Sequence, residues 1–253
     1  MSHPNLLSAA GLTLGYREVA VVEDVTFRLA QGDVLAVVGH NGSGKTTLIK
    51  TLLGALSPLA GDLLWPDGRP RTIAYLGQRT EFDSRFPIRV RDLAAMGAWP
   101  GLGFLGRVDK HIQARIGAAL ERTGTAGIAD MPLHKLSAGQ LQRTLFARTM
   151  VQDAPLILLD EPFTAVDQTT EAALLELIDD WAIEVRSVIM VLHDLSSVLQ
   201  HCSSALLMGR GRASFGSPDG TLTPSNLVEH GYLSQNQAAW IRRMYEQRRG
   251  GHV

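Results

Sequence analysis

The sequence predicts an α/β fold carrying an inserted helical subdomain, and three observations lead there. A buried strand, Asp33–Val38 (DVLAVV), runs into a glycine-rich loop and then into helical spacing. Between about Gln78 and Val151 the pattern turns helical and offers no good strand candidate. From Leu156 onward, apolar strand runs and helical spacing alternate again. A βα core interrupted by one helical block accounts for all three.

The first thirty residues read as strands, with Val25, Phe27 and Leu29 alternating with Thr26 and Arg28 in the period of a half-buried strand. Asp33–Val38 is nearly continuous in its hydrophobicity, as a strand covered on both faces should be. A helix is expected from about Lys45 to Leu53, stopped by Gly54, with short strands following around Asp62–Trp65 and Thr72–Leu76. Inside the helical block, Leu141, Leu145 and Phe146 form one apolar face, with Arg143 and Arg148 elsewhere. Leu156–Leu159 is a strand. Leu174, Leu177, Ile178 and Trp181 then recur at i, i+3, i+4 and i+7, the spacing of a helix. Ser187–Leu192 (SVIMVL) and Ala205–Met208 complete the strands. Beyond Pro224 the chain reads as a solvated or frayed terminal helix with a basic end, Arg242, Arg243, Arg248 and Arg249. The expected division is a main domain over 1–225, a helical subdomain over about 79–151 within it, and a tail over 226–253.

Composition narrows the function classes. The 253 residues suit one large domain or a core with an insertion, and 45% hydrophobic against 19% charged residues suits a folded protein. A formal net charge of −1 argues against nucleic acid as a partner. Cys202 is the single cysteine, so neither an intrachain disulfide nor a cysteine-based zinc site is expected, in keeping with a reducing compartment. The N-terminus lacks a basic segment followed by an apolar block, so no signal peptide is expected. The longest uncharged apolar stretch, Leu93–Gly106, is glycine-rich and falls short of the roughly 20 residues a spanning helix needs. The chain is therefore expected to be soluble by itself. The histidines at 3, 111, 134, 201, 230 and 252 show no helical pairing, so no transition-metal site is expected.

Gly39-His-Asn-Gly-Ser-Gly44-Lys45-Thr46 fits G-x4-G-K-[ST] and sits between a buried strand and a helix, the context that gives the match its meaning. Glycines let the backbone wrap so closely that successive N–H groups point at a phosphate, and the helix N-terminus adds positive potential. Lys45 would reach the β- and γ-phosphates, and the Thr46 hydroxyl would ligate Mg²⁺. His40 occupies a variable position of the loop and is given no role.

Leu156–Asp160-Glu161 is an apolar strand ending in two carboxylates. Alone, that pattern marks a strand end. With the loop upstream, it reads as a site in which Asp160 holds Mg²⁺ through water and Glu161, on the other side, polarises an attacking water. Leu136-Ser137-Ala138-Gly139-Gln140 opens a helix and makes a second anion-binding N-terminus. One phosphate tail does not need two unrelated helix ends from one subunit. A dimer, in which each of these helices caps a nucleotide held by the other chain, resolves this.

With these motifs the sequence resembles the ABC (ATP-binding cassette) ATPases over Leu6 to about Arg212; Ala138 stands where their LSGGQ signature has its first glycine. The resemblance implies a P-loop NTPase core with an N-terminal antiparallel β region, hydrolysis of ATP with Mg²⁺, and a homodimer. It implies ATP binding by Tyr16, whose ring would stack on adenine, and by Gly39, Asn41, Gly42, Ser43, Gly44, Lys45, Thr46 and Thr47. In trans, Ser137, Ala138, Gly139 and Gln140 would complete the site. Gln78 corresponds to the Q-loop glutamine that senses Mg²⁺ and the attacking water, Asp167 to the D-loop aspartate, and His193 to the switch histidine at the γ-phosphate.

Arg79–Gly97, and Phe86-Pro87 through Met96-Gly97 above all, resembles the ATP-binding subunits of zinc or manganese importers and, less closely, those for iron chelates. Trp99 and Phe104 would suit docking of a membrane subunit. The implied role is a peripheral subunit on the cytoplasmic face of the membrane. It would bind integral membrane permease subunits and, through them, serve an extracytoplasmic metal-binding protein. The cargo would be a divalent transition metal ion, zinc before manganese. Iron-chelate or siderophore uptake and soluble iron–sulfur assembly are the alternative readings.

Overall fold

The computed structural model describes residues 3–77, 87–102, 108–164 and 166–238. The strands are β1 (Asn5–Tyr16), β2 (Val19–Ala30), β3 (Val34–Gly39), β4 (Ala60–Leu64), β5 (Ile73–Leu76), β6 (Leu156–Asp160), β7 (Ser187–Val191), β8 (Ser204–Gly209) and β9 (Arg212–Gly216). The α-helices are α1 (Lys45–Leu52), α2 (Val90–Ala95), α3 (Trp99–Leu102), α4 (Lys110–Arg122), α5 (Ala138–Gln152), α6 (Gln168–Ile183), α7 (Leu195–His201), α8 (Pro218–Thr221) and α9 (Pro224–Glu229). They gather into two units, Met1–Asp67 with Val191–Val253, and Gly68–Met190.

In the first unit β1 lies between β2 and β4, antiparallel to both, which is the N-terminal antiparallel region expected. Parallel pairing joins β3 to β8 from Leu35↔Ser204 to Gly39↔Met208, and β9 runs antiparallel to β8. The alternation read in Val25–Leu29 buries Val25, Phe27 and Leu29, and Phe27 meets Phe215 of β9 with ring centroids 6.3 Å apart. Helix α1 stops where expected. Gly54, at φ +75°, donates its N–H to the Thr51 carbonyl at 2.9 Å, a left-handed termination that glycine adopts without a Cβ penalty.

The tail departs from the sequence reading. Pro224–Glu229 is a docked helix rather than a frayed one, with Leu227 and His230 each 3% exposed. The Thr223 hydroxyl caps it by accepting from the Asn226 N–H at 3.3 Å, and Pro224 fills its first turn. His230 is held by the Asn226 carbonyl at 2.9 Å and the Ser214 hydroxyl at 3.2 Å. The basic end of the tail lies outside the described residues.

In the second unit β5 pairs parallel with β6, from Ile73↔Leu156 to Leu76↔Leu159, and β6 lies between β5 and β7. The described part of 87–152 is helical, relieved by one isolated bridge between Arg89 and Pro132. Helix α5 is more enclosed than its single apolar face suggested: Gln142, Thr144 and Thr149 are buried along with Leu141, Leu145 and Phe146. The two threonines achieve this by donating to the carbonyls of Gln140 and Leu145 at 2.8 and 3.0 Å. Phe146 stacks on Trp181 at 5.9 Å with the rings 11° from parallel; truncating such a buried aromatic to alanine typically costs about 3–5 kcal/mol. No helix among the described residues is long and apolar enough to cross a membrane.

Candidate nucleotide site

Strand β3 ends at Gly39 and α1 begins at Lys45, so the glycine loop spans the turn between them. Gly44 is the N-cap of α1 at φ +100°, ψ 4°, with no side chain to occupy the first helical amides. A Cβ at Gly44 would approach Val22 Cγ1 to 3.0 Å in a conformation L-residues rarely adopt, so the loop requires glycine there. The initial N–H groups of a helix have no intrahelical partner, and no side chain caps them here, an arrangement that suits an anion.

Lys45 is 6% exposed, and its ammonium donates to the Gly39 carbonyl at 2.8 Å and the His40 carbonyl at 3.0 Å. Beside it the Ser43 hydroxyl is buried and, among the described residues, has no hydrogen-bond partner. Leaving a buried hydroxyl unsatisfied costs about 1–3 kcal/mol, so the position calls for a ligand. A helix start without a side-chain cap, an ammonium and an unsatisfied hydroxyl around one glycine turn fit a phosphate chain. Thr46 is half-buried, while Asn41 and Gly42 are exposed.

Tyr16, the last residue of β1, keeps 41% of its surface exposed. The buried Thr47 hydroxyl donates to the Tyr16 hydroxyl at 3.3 Å, which ties an accessible aromatic to the first turn of α1.

His193 lies two residues past β7, and the Leu192 N–H donates to the Val37 carbonyl of β3 at 3.2 Å. The His193 side chain is therefore carried at the strand end next to the glycine loop, and it is exposed. Its carbonyl accepts from the Tyr232 hydroxyl at 2.6 Å. Asp194 caps α7, accepting from the N–H groups of Ser196 and Ser197 at 3.3 and 2.9 Å and from the Ser197 hydroxyl at 2.8 Å. Burial pushes the Asp194 carboxyl up, but these donors outweigh it and hold the group below the usual carboxylate range.

In the second unit Asp160 closes β6 at 1% exposure. Glu161 follows at φ +53°, so it is not the next residue of an extended strand, and the alternation that set it opposite Asp160 does not apply. Such a left-handed non-glycine residue stores of the order of 1–3 kcal/mol of strain, and such residues cluster at functional sites. The adjacent Pro162 carbonyl accepts from the buried Gln142 side chain of α5, and the Thr164 N–H donates to the Glu161 carbonyl at 3.3 Å. Sequence reasoning passed over Gln142; a polar residue inside the apolar stripe of α5 was the available signal.

Ser137 caps α5 in a reciprocal box: its hydroxyl accepts from the Gln140 N–H at 3.2 Å, and the Gln140 side-chain oxygen accepts from the Ser137 N–H at 2.9 Å. Ser137 is exposed, and Ala138 and Gly139 are half-exposed. A Cβ on Gly139 would stand 3.3 Å from the Thr170 hydroxyl and 3.6 Å from an Asp167 carboxylate oxygen, so the start of α5 abuts the cap of α6. Asp167 is that cap, accepting from the Thr170 N–H at 2.8 Å and hydroxyl at 2.9 Å, which holds its carboxyl below the usual range. Gln78, Phe86 and Phe104 lie outside the described residues, while Trp99, opening α3, is 60% exposed.

A glycine loop on a parallel strand, a lysine held across it and an apolar strand closing on a buried aspartate define a P-loop nucleotide-binding protein. The chain belongs to the ABC transporter family, whose model matches residues 22–164, and it is an ATP-binding subunit that couples ATP hydrolysis to transport. It is 39% identical over 202 residues to the zinc transport system ATP-binding protein TroB of Treponema pallidum (strain Nichols), covering 78% of this chain and 76% of the relative. It is 33% identical over 222 residues to the manganese transport system ATP-binding protein MntB of Listeria monocytogenes serovar 1/2a (strain ATCC BAA-679 / EGD-e), covering 86% and 92%. A solved inward-facing structure described as a metal-chelate type ABC transporter superposes with a TM-score of 0.82 at 30% identity, covering 90% of each chain.

Proposed function

We propose that this subunit powers import of a divalent transition metal ion, zinc before manganese. The observation that carries the reading is the 39% identity, over more than three-quarters of both chains, to a subunit named for zinc transport, with one named for manganese at 33%. In this reading two copies of the chain form a homodimer on the cytoplasmic face of the membrane. They dock onto permease subunits through the surface around Gln78 and Trp99 and receive cargo delivered by an extracytoplasmic metal-binding protein.

The residues divide the work. The loop amides from Gly39 to Thr47 and the Lys45 ammonium hold the nucleotide phosphates, Ser43 supplies its free hydroxyl, Asn41 lines the loop, and Tyr16 stacks on the base. Thr46, Asp160 and Gln78 would hold Mg²⁺, which supplies positive charge to the phosphate oxygens when bound. Glu161 takes a proton from the attacking water, and His193 orients the terminal phosphate. Ser137, Ala138, Gly139 and Gln140 of one copy complete the site of the other, with Asp167 communicating between the two sites.

A second reading, uptake of a metal as its chelate, is favoured by the similarity to the metal-chelate type transporter. Growth under limitation separates the two. In chelator-treated medium, a strain lacking the gene should grow poorly and recover selectively with added Zn²⁺ or Mn²⁺. Recovery with an iron chelate alone would favour the second reading.

A further inference from the structure

Among the described residues, the segment that follows β9 meets the site through Tyr232. Its helix α9 is anchored from several sides: Leu227 and His230 are buried, and Arg212 pairs with Glu229 at 3.4 Å. The His230 carbonyl lies against Gly209 so closely that a Cβ there would come within 1.9 Å of it. The chain then reverses at Gly231, φ +71°, and the N–H groups of Tyr232 and Leu233 both donate to the Leu227 carbonyl, at 2.8 and 3.1 Å. This closed turn fixes the Cα of Tyr232. Its half-buried side chain reaches back across 39 positions of sequence to donate its hydroxyl to the His193 carbonyl at 2.6 Å. Burial, with the Asp194 carboxylate nearby, raises the Tyr232 pKa, which keeps the hydroxyl protonated and donating.

We propose that Tyr232 is a positioning residue for turnover: the segment Pro224–Leu233 is a brace, and its tyrosine hydroxyl holds the backbone of His193 so that the imidazole is presented in one orientation. The segment that the sequence leaves without a role thereby acquires one. The proposal rests on the reading of His193 as a group at the terminal phosphate. Being indirect, the effect should fall on the chemical step and spare nucleotide binding.

Steady-state ATP hydrolysis by the full chain, with and without its permease partners, tests this in Tyr232→Phe, His193→Ala and the double variant. Tyr232→Phe should lower kcat about 3- to 10-fold, the size of one net hydrogen bond, with KM for ATP unchanged and the thermal midpoint lowered by no more than about a few degrees. In the His193→Ala background the same substitution should change nothing, because the hydroxyl acts through that residue. Arg212→Ala, which removes only a solvent-exposed ion pair to Glu229 and leaves the buried anchors Leu227 and His230 in place, should leave kcat as in the wild type. Equal losses from Tyr232→Phe with and without His193 would overturn the positioning role. So would a rise in KM alone, or wild-type kcat in Tyr232→Phe. If His193→Ala itself turns over normally, the reading of His193 fails first and takes the proposal with it.

Discussion

The Lys45 ammonium donates to the Gly39 carbonyl at 2.8 Å, so the first residue of the phosphate loop and the first residue of α1 are tied across the turn. The Gly39 and His40 carbonyls, both neutral acceptors, satisfy its charge. Binding of a triphosphate would exchange neutral acceptors for charged ones, which form stronger hydrogen bonds.

Lys45→Ala removes that exchange. ATP binding should weaken, and hydrolysis should fall by on the order of 10²–10³-fold, the usual cost of deleting a preorganised group aimed at developing charge. Equilibrium nucleotide binding and steady-state turnover check it, and the thermal midpoint of the nucleotide-free protein should move little.

Glu161→Gln should retain ATP binding and lose about 10²–10⁴-fold in turnover, the range of a positioned general base. Because the nucleotide persists, the variant should accumulate as a dimer with Mg-ATP, visible by light scattering. A monomer that hydrolyses at the wild-type rate would remove Glu161 from the chemistry.

Ser137 is exposed at the start of α5 and available to a second copy. Mixing Lys45→Ala subunits with Ser137→Ala subunits, each inactive alone, should restore activity. Half of randomly paired dimers would carry one intact composite site of two, giving about a quarter of the wild-type rate. No recovery from a mixture shown to form mixed dimers would contradict sites shared between subunits.

Asp194 supplies the pH prediction. Its carboxyl is held below its unfolded value, so the stability it contributes is present above the unfolded pKa of about 3.9 and is lost as pH falls through the lower folded value. Asp194→Asn keeps a good cap and removes the charge, so thermal midpoints measured from about pH 6 to about pH 3 should fall less steeply than in the wild type. Asp194→Ala also loses the cap and should cost about 1 kcal/mol at neutral pH.

Much of the fold was legible because its strands are buried on both faces: DVLAVV, LILL and SVIMVL each appear as β3, β6 and β7 to within a residue or so. The glycine loop was legible because close phosphate approach permits so few residue types. The docked tail was harder. Thr223-Pro224 and Gly231 carry its start and stop signals, but a helix of only six residues gives little periodicity to set against the basic end that follows. The left-handed Glu161 could not be read because alternation assumes that the strand continues. Tyr232 left no local sign at all, since its contact with His193 depends on how the tail packs.

Metal import is tested by uptake of radiolabelled zinc, manganese and a labelled iron chelate in cells lacking the gene, complemented with the wild type or with Lys45→Ala. The wild type should restore energy-dependent zinc uptake and, more slowly, manganese uptake, and Lys45→Ala should restore neither. Free-ion uptake that is unchanged by the deletion with no second system present, or restoration confined to the chelate, would contradict metal-ion import while leaving the ATPase assignment intact.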